Sequence, residues 1–210
     1  MSVQNAKDKK FEKRCLFLQA ARKIFAQKGF QATNVSDIVS EVDSGQGTFY
    51  YHFKDKHDIF DVLMLDFIGE LARAVAKNDM AAAGRLALAD RELALVNARA
   101  FAGVFMDNMD LAKIYFRESK YVGGAAAAAL ETFYSVIYSQ IENGLRMGIA
   151  AGSVRENVDP YCVARCFVGA AERVIYDVIS SGRDVPLDTI AEQIVDFQSF
   201  GIMKRPAVEN

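Results

Sequence analysis

The chain has 210 residues, 51% hydrophobic and 25% charged, with three prolines and a net charge of −2. That balance supports a buried core and excludes a chain dominated by disorder. The first 14 residues are mostly polar or charged. No later apolar run reaches the roughly 18 uninterrupted residues of a spanning helix, so the sequence predicts a cytoplasmic protein without a membrane partner.

Charge is distributed unevenly. Residues 1–56 hold ten Lys and Arg against six Asp and Glu, whereas residues 57–210 hold 15 against 21. The basic end is the candidate contact for a polyanion. Three cysteines, Cys15, Cys162 and Cys166, sit in apolar helical surroundings, which argues against a secreted disulfide framework. They are read as buried thiols, with a redox role for Cys162 and Cys166, one helical turn apart, as the alternative. No metal-ligand cluster and no cofactor are implied.

In chain order, nearly every segment shows the 3.6-residue period, so the fold class is all-α, with about nine helices. A first helix over 8–28 is predicted to bury Phe11, Cys15, Leu18, Ala21, Ile24 and Phe25, and to stop at Gly29. A second helix follows, N-capped by Thr33, burying Val35, Ile38, Val39 and Val42 and ending near Asp43. A third covers 45–52. A fourth starts near Lys56 and runs through Phe60, Leu63, Met64, Phe67, Ile68 and Leu71 to about Asn78 and Asp79. Further helices are predicted at 84–106, 109–118, 125–150, 160–181 and 186–203. Asp159-Pro160 places a capping acid before a proline at the first helical position, and Asp184-Val185-Pro186 does something similar for the last helix.

Two short helices joined by a three- or four-residue connection suit a helix-turn-helix. In the stretch from Thr33 to Lys56 the second of them is polar and aromatic. Gln46, Thr48, Tyr50, Tyr51 and His52 place amide, hydroxyl and imidazole groups along it, while Phe49 and Phe53 are spaced to anchor it inward. A recognition helix needs groups that reach base edges and phosphates, held by an apolar underside.

Residues 10–56 resemble the DNA-binding domain of the TetR family of bacterial regulators. The features that carry the resemblance are Gly29-Phe30 with Thr33 downstream, Val35-x-Asp37-Ile38, and the run Gly47-Thr48-Phe49-Tyr50-Tyr51-His52-Phe53-Lys54-Asp55-Lys56. The resemblance implies that Gln46 reads a base edge and that Thr48 and Tyr50 meet phosphate or a thymine methyl. It further implies that Tyr51 and His52 grip the backbone, and that Lys56 and Thr33 add phosphate contacts at helix N-termini. His57, which follows the motif, is read as surface. Where the family normally has Ala-Gly-Val in the turn, this chain has Val42-Asp43-Ser44. Asp tolerates the left-handed conformation less well than Gly, and Ser44 is left either to cap the recognition helix or to reach DNA.

Residues 1–56 are thus expected to form a three-helix DNA-binding domain, 56–77 a connecting helix, and 78–210 a larger helical domain for ligand binding and dimerisation. Helix 160–181 carries two apolar stripes, one of them Ala164, Val168, Ala171 and Ile175. Helix 186–203 offers Ile190, Ile194 and Phe197. A helix apolar on two sides must contact more than its own core, and the family resemblance places these residues in a homodimer interface.

The aromatic residues Phe101, Phe105, Tyr115, Phe133, Tyr134 and Tyr138 are candidate ligand contacts, with Asn108, Arg117 or Asn143 as polar partners. The expected partners are double-stranded operator DNA, a second copy of the chain and a small hydrophobic effector, fatty acyl-CoA or another lipid-like molecule. The function that follows is a repressor released by its effector. An activator of the same fold, and a lipid or acyl-CoA carrier without DNA regulation, are the alternatives. No Ser/His/Asp, metal or phosphate-cradle constellation points to an enzyme.

Overall fold

A computed structural model describes residues 2–77 and 91–202. Among these residues there are nine α-helices, a single 3-10 turn and no strand. The helices are α1 (Ser2–Lys28), α2 (Val35–Glu41), α3 (Gln46–His52), α4 (Lys56–Lys77), α5 (Arg91–Asp107), α6 (Met109–Glu118), α7 (Gly124–Ala150), α8 (Pro160–Ser181) and α9 (Leu187–Ile202). The expected stop of α4 at Asn78 and Asp79, and the expected start of the next helix at 84, lie outside the described residues. Two compact units result: Met1–Ile68 with Asn108–Ala129, and Gly69–Asp107 with Leu130–Asn210.

In the first unit, α1 packs on α2 and α6, and α2 on α3. The buried row of α1 is Phe17, Ala20, Ala21, Ile24 and Phe25. Phe11, expected inside, is 67% exposed. At 100° per residue it stands about 120° around the helix from Phe17, and so falls off the buried row. Gly29 closes α1 as expected: its φ is 84°, and a Cβ there would meet a Glu118 carboxylate oxygen at 2.9 Å.

The N-cap of α2 is Asn34, one residue later than expected. The Asp37 carboxylate accepts from the Asn34 amide at 2.9 Å and from Lys28 at 3.1 Å. Together these hold Asp37 below the usual carboxylate range, the backbone bond contributing most.

Helix α6 grips the end of α1. The Arg117 guanidinium donates to the carbonyls of Phe25 at 2.8 Å and Ala26 at 3.1 Å, and Glu118 accepts from the Phe30 amide at 3.3 Å. Phe25 O also accepts from the Gly29 amide at 3.0 Å, and both carbonyls belong to the last turn of α1, where backbone partners run out. The grip explains why Asn108–Ala129 clusters with the N-terminal helices, whereas the sequence reading placed all of 78–210 together.

The turn between α2 and α3 is a Schellman motif. The Ser44 amide donates to Val39 O at 3.0 Å and the Asp43 amide to Ser40 O at 3.3 Å. Asp43, at φ 45°, is the non-glycine residue that takes the left-handed position. A left-handed non-glycine residue carries roughly 1 kcal/mol of strain, so Asp43→Gly is expected to raise stability by up to about that amount. Asp43→Val is expected to lower it by more, because a β-branched side chain fits that region worse still. Paired urea melts of the two variants check this, and equal midpoints would remove the turn as a source of strain.

In the second unit, α9 packs on α5 and α8, and α5 on α8. Asp159 caps α8 by accepting from the Cys162 amide at 2.8 Å, with Pro160 in the first turn. For α9, Pro186 stands just outside the helix, its carbonyl accepting from Ile190 at 3.1 Å. Cys162 and Cys166, expected to be buried, are exposed thiols on α8, and Cys15 is half-buried. Asp159 beside Cys162 pushes that thiol's pKa up. No helix among the described residues is long and apolar enough to cross a membrane.

Candidate nucleic-acid interface and effector cavity

Helix α3 is anchored by one buried ring. Phe49 is fully buried against Phe17, ring centroids 5.6 Å apart, and Phe53 just past the helix packs 5.6 Å from Phe49. With that underside fixed, the opposite face points outward. Gln46 is exposed, and Tyr50 and Tyr51 are 54% and 66% exposed, large fractions for aromatic rings. Thr48 is half-buried. Gly45 is the N-cap, its carbonyl accepting from Thr48 at 3.0 Å, so the capping role open to Ser44 falls to its neighbour. Ser44 is half-buried one position before it.

Sequence reasoning missed the cations that α1 sets beside this helix. Lys10 Nζ lies 4.5 Å from the Tyr51 ring centroid, Arg14 stacks 5.0 Å from that of Phe53, and Lys13 donates to Val42 O at 3.4 Å. Their spacing, i, i+3 and i+4, marks one helix face and was visible in the sequence.

His52 sits between these groups and the core. Its ring lies 5.9 Å from Phe17 and 5.1 Å from Tyr51, and its Nδ1 is buried without a partner. Burial first, then the charges of Lys10, Arg14 and Lys13, pull its pKa below the ordinary 6.5. The unfolded chain therefore binds the proton more readily than the folded one. Stability is full above the unfolded value and is lost as pH falls through about 6.5 toward the depressed folded value. The melting temperature of the free protein is expected to drop between about pH 7.5 and pH 5.5, with a shallower drop in His52→Gln. Parallel slopes would show that His52 is not the group responsible.

Two residues expected at phosphate are committed elsewhere. Thr33 is fully buried, its hydroxyl donating to Gly29 O at 2.7 Å and its amide to Phe30 O at 3.3 Å. Lys56 turns inward, Nζ donating to Phe30 O at 2.7 Å and Thr33 O at 2.8 Å over the Phe30 ring, and burial lowers its pKa. Both brace the α1–α2 turn. The exposed Asn34 amide and side chain now open α2 where Thr33 was expected.

The second unit holds a cavity of about 150 Å³ among α4, α5, α7, α8 and α9. Of the six aromatics expected there, only Phe101 lines it. Tyr115 is buried against Phe67 in the other unit. Phe105 and Phe133 are buried core. Tyr134 donates to Glu172 at 2.8 Å, and its ring stacks on that of Tyr138, over which Arg165 lies. Arg117 serves α1, Asn143 accepts from Arg146 at 3.3 Å, and Asn108 is the N-cap of α6.

The cavity wall also corrects the interface expectation. Val168, Ala171 and Ile194 line the cavity, and Ala164, Ile175 and Ile190 are buried in their own chain. Of the seven residues expected at a dimer contact, only Phe197 is exposed, at 72%. Val174 on α8 and Phe200 on α9, the latter 84% exposed, share its character. The remaining polar lining is Asn97, Gln140 and Gln198. Gln198 donates to Phe167 O at 3.2 Å, whereas Asn97 Oδ1 and Gln140 Oε1 are buried without partners.

Residues 17–63 match the family model described as bacterial regulatory proteins, tetR family. Across 200 residues the chain is 26% identical to an uncharacterized helix-turn-helix transcriptional regulator, YdgC of Bacillus subtilis, covering 95% of this chain and 97% of that one. Over 75 residues it is 31% identical to the transcriptional repressor AcnR of Corynebacterium diphtheriae, 36% of this chain and 40% of that one. In fold it is similar to the transcriptional regulator FadR of Bacillus subtilis in complex with stearoyl-CoA, with a TM-score of 0.65 and 17% identity over 90% of this chain and 98% of that one. An outward polar face on a short helix following a Schellman turn falls within the region of the family match, so residues 17–63 form a helix-turn-helix of the kind found in the TetR family of bacterial regulatory proteins.

Proposed function

We propose that this regulator is a repressor that binds a near-palindromic operator as a homodimer and is released by a small hydrophobic effector. The observation that carries the reading is the exposure of Gln46, Tyr50 and Tyr51 on a helix whose Phe49 is wholly buried. Such a face has no use in the protein's own core and suits the major groove. In this reading α1–α3 are the DNA-binding domain, α4 is the connection and the remaining helices hold effector and partner. Lys10, Lys13 and Arg14 supply the phosphate attraction, because the Lys56 ammonium group is turned onto the carbonyls of Phe30 and Thr33. The second copy is held through Phe197, Phe200 and Val174, the outward residues of α8 and α9.

Release follows from differential affinity. An effector shifts the equilibrium only by as much as it prefers the conformation unsuited to DNA. Helix α4 is the proposed carrier of that shift, because Ala74 and Val75 near its end line the cavity while Ile59 and Phe60 near its start are buried core. A fatty acyl-CoA is the effector favoured by similarity to the stearoyl-CoA complex of FadR.

Selection from a pool of random DNA duplexes by the full-length chain tests the reading. The expected result is enrichment of an inverted repeat, bound with an affinity that falls by orders of magnitude between about 50 and 200 mM salt. Absent or salt-insensitive binding by a folded protein would sink it.

A further inference from the structure

The size of the cavity limits its occupant in a way that similarity does not. The wall is almost wholly apolar, and no charged side chain is among the described lining residues. Its amides add little: Asn97 Oδ1 and Gln140 Oε1 are buried even with the space empty, and Gln198 Nε2 is spent on Phe167 O at 3.2 Å. A group lying inside therefore gains from apolar contact. Any charge attached to it stays outside, because a charge drawn against this wall loses its hydration and meets no partner. The cavity is partly open to solvent, so an unbranched chain can enter it end-on. Its volume is about 150 Å³. An apolar cavity of roughly this size accepts benzene, a body of six carbons. An acyl chain of about sixteen carbons has well over twice that content, and forcing it in would overpack helices already in contact.

We infer that the effector is a medium-chain acyl thioester of about six to ten acyl carbons, with an optimum near eight, whose tail fills the cavity while its charged carrier stays outside. The inference rests on the reading of this cavity as the site of an acyl-CoA effector. A shorter chain leaves part of the space empty and forfeits roughly fourfold in affinity for each missing methylene. A longer chain finds no further wall to touch. The thioester itself is uncharged, which suits the junction between an apolar interior and water. A carboxylate at the same point would be partly desolvated with no described cation on the wall to offset it. Ala74 and Val75 on α4 share the wall with Phe101 on α5 and Phe167 on α8, so a chain that fills the cavity touches the helix proposed to carry the release.

Isothermal titration of the full-length chain tests this with CoA, its butyryl, hexanoyl, octanoyl, lauroyl and palmitoyl thioesters, and octanoate, each below its micellar concentration. Octanoyl-CoA is expected to bind tightest, on the order of a hundredfold tighter than butyryl-CoA, as four buried methylenes give. Palmitoyl-CoA is expected to bind no tighter than octanoyl-CoA, and octanoate at least roughly tenfold more weakly. Phe101→Ala removes a ring from the wall and is expected to move the optimum to about twelve carbons; Ala98→Leu fills part of the space and is expected to move it to about six. A general packing defect weakens every chain alike and leaves the optimum in place. Should either variant fail to fold, the series on the unaltered chain decides. Tightest binding of palmitoyl-CoA would overturn the length limit and leave the acyl-CoA reading standing. Octanoate or bare CoA binding as tightly as octanoyl-CoA, or an unmoved optimum in both folded variants, would overturn the placement of the acyl tail in this cavity. No binding of any probe would remove the acyl-CoA reading together with the inference. The titrations contain no DNA, so failure of the duplex selection overturns the regulator reading and leaves the chain-length preference standing.

Discussion

Tyr50→Ala is expected to weaken operator binding by roughly ten- to a hundredfold, the equivalent of about 1.5–3 kcal/mol of contact, while leaving the fold's stability nearly unchanged. The two halves of that statement come from different links in the chain of causes. Tyr50 is 54% exposed and meets the buried Phe49 ring in a T-shaped contact, centroids 5.5 Å apart, so truncation opens little internal space. Surface substitutions of that kind stay within about 0.5 kcal/mol. In the proposed complex the same ring faces DNA and is desolvated there. Phe49→Ala is the contrasting case: that ring is fully buried, and its removal is expected to cost about 3–5 kcal/mol of stability and to lose DNA binding through unfolding. Fluorescence anisotropy with the selected duplex, beside calorimetric melts, separates the two. Unchanged affinity in Tyr50→Ala would remove this face of α3 as the contact surface. A melting loss matching the affinity loss would make Tyr50 a core residue.

The recognition helix was legible because its signals are local. Gly29, the Asp159-Pro160 cap and the spacing of Phe49 and Phe53 act within a turn or two, and local physics decides them. The α2 cap shows the limit of such reading. Thr33 and Asn34 are both good capping residues, and only the acid three positions after the cap, Asp37, distinguishes them. Lys56 shows another limit, since no pattern in the chain says that its ammonium group bends back onto the carbonyls of Phe30 and Thr33.

The cavity was misplaced for a deeper reason. Aromatic side chains fill space, so Phe105, Tyr115 and Phe133 ended in the cores. A cavity lies where residues are too small to meet, and its wall includes Ala74, Ala94, Ala98, Gly144 and Ala171. Small residues in good helix formers carry no signal of their own, because Ala is favoured there on backbone grounds alone.

Phe197→Asp is expected to have the larger effect of the two substitutions on DNA binding, a loss of roughly 10²- to 10⁴-fold, without touching the recognition helix. The sequence stripes on α8 and α9 ask for two contact faces, but which face would meet the partner in the proposed dimer depends on the packing of α5, α8 and α9 together. The inner stripe, Ala164, Val168, Ala171 and Ile175, is taken by the chain's own core and cavity wall. What remains outward on α9 is Phe197 at 72% and Phe200 at 84% exposure, three residues apart and hence neighbours on one helix face. Two such rings left in water are a cost that a second copy would remove in the proposed dimer, where a two-fold axis presents the same patch to itself. A carboxylate at that position would be desolvated against apolar surface in the dimer and freely hydrated in the monomer. Because Phe197 supports little of its own core, the monomer is expected to stay folded. Its DNA affinity falls because two linked recognition helices gain from effective concentration and a single one does not. Sedimentation velocity of Phe197→Asp, with Phe200→Asp as an independent second variant, reads the mass directly. A variant that sediments as a dimer and binds the operator at full strength would place the interface on some other face, and Phe197→Leu, which keeps the apolar contact, is expected to remain dimeric.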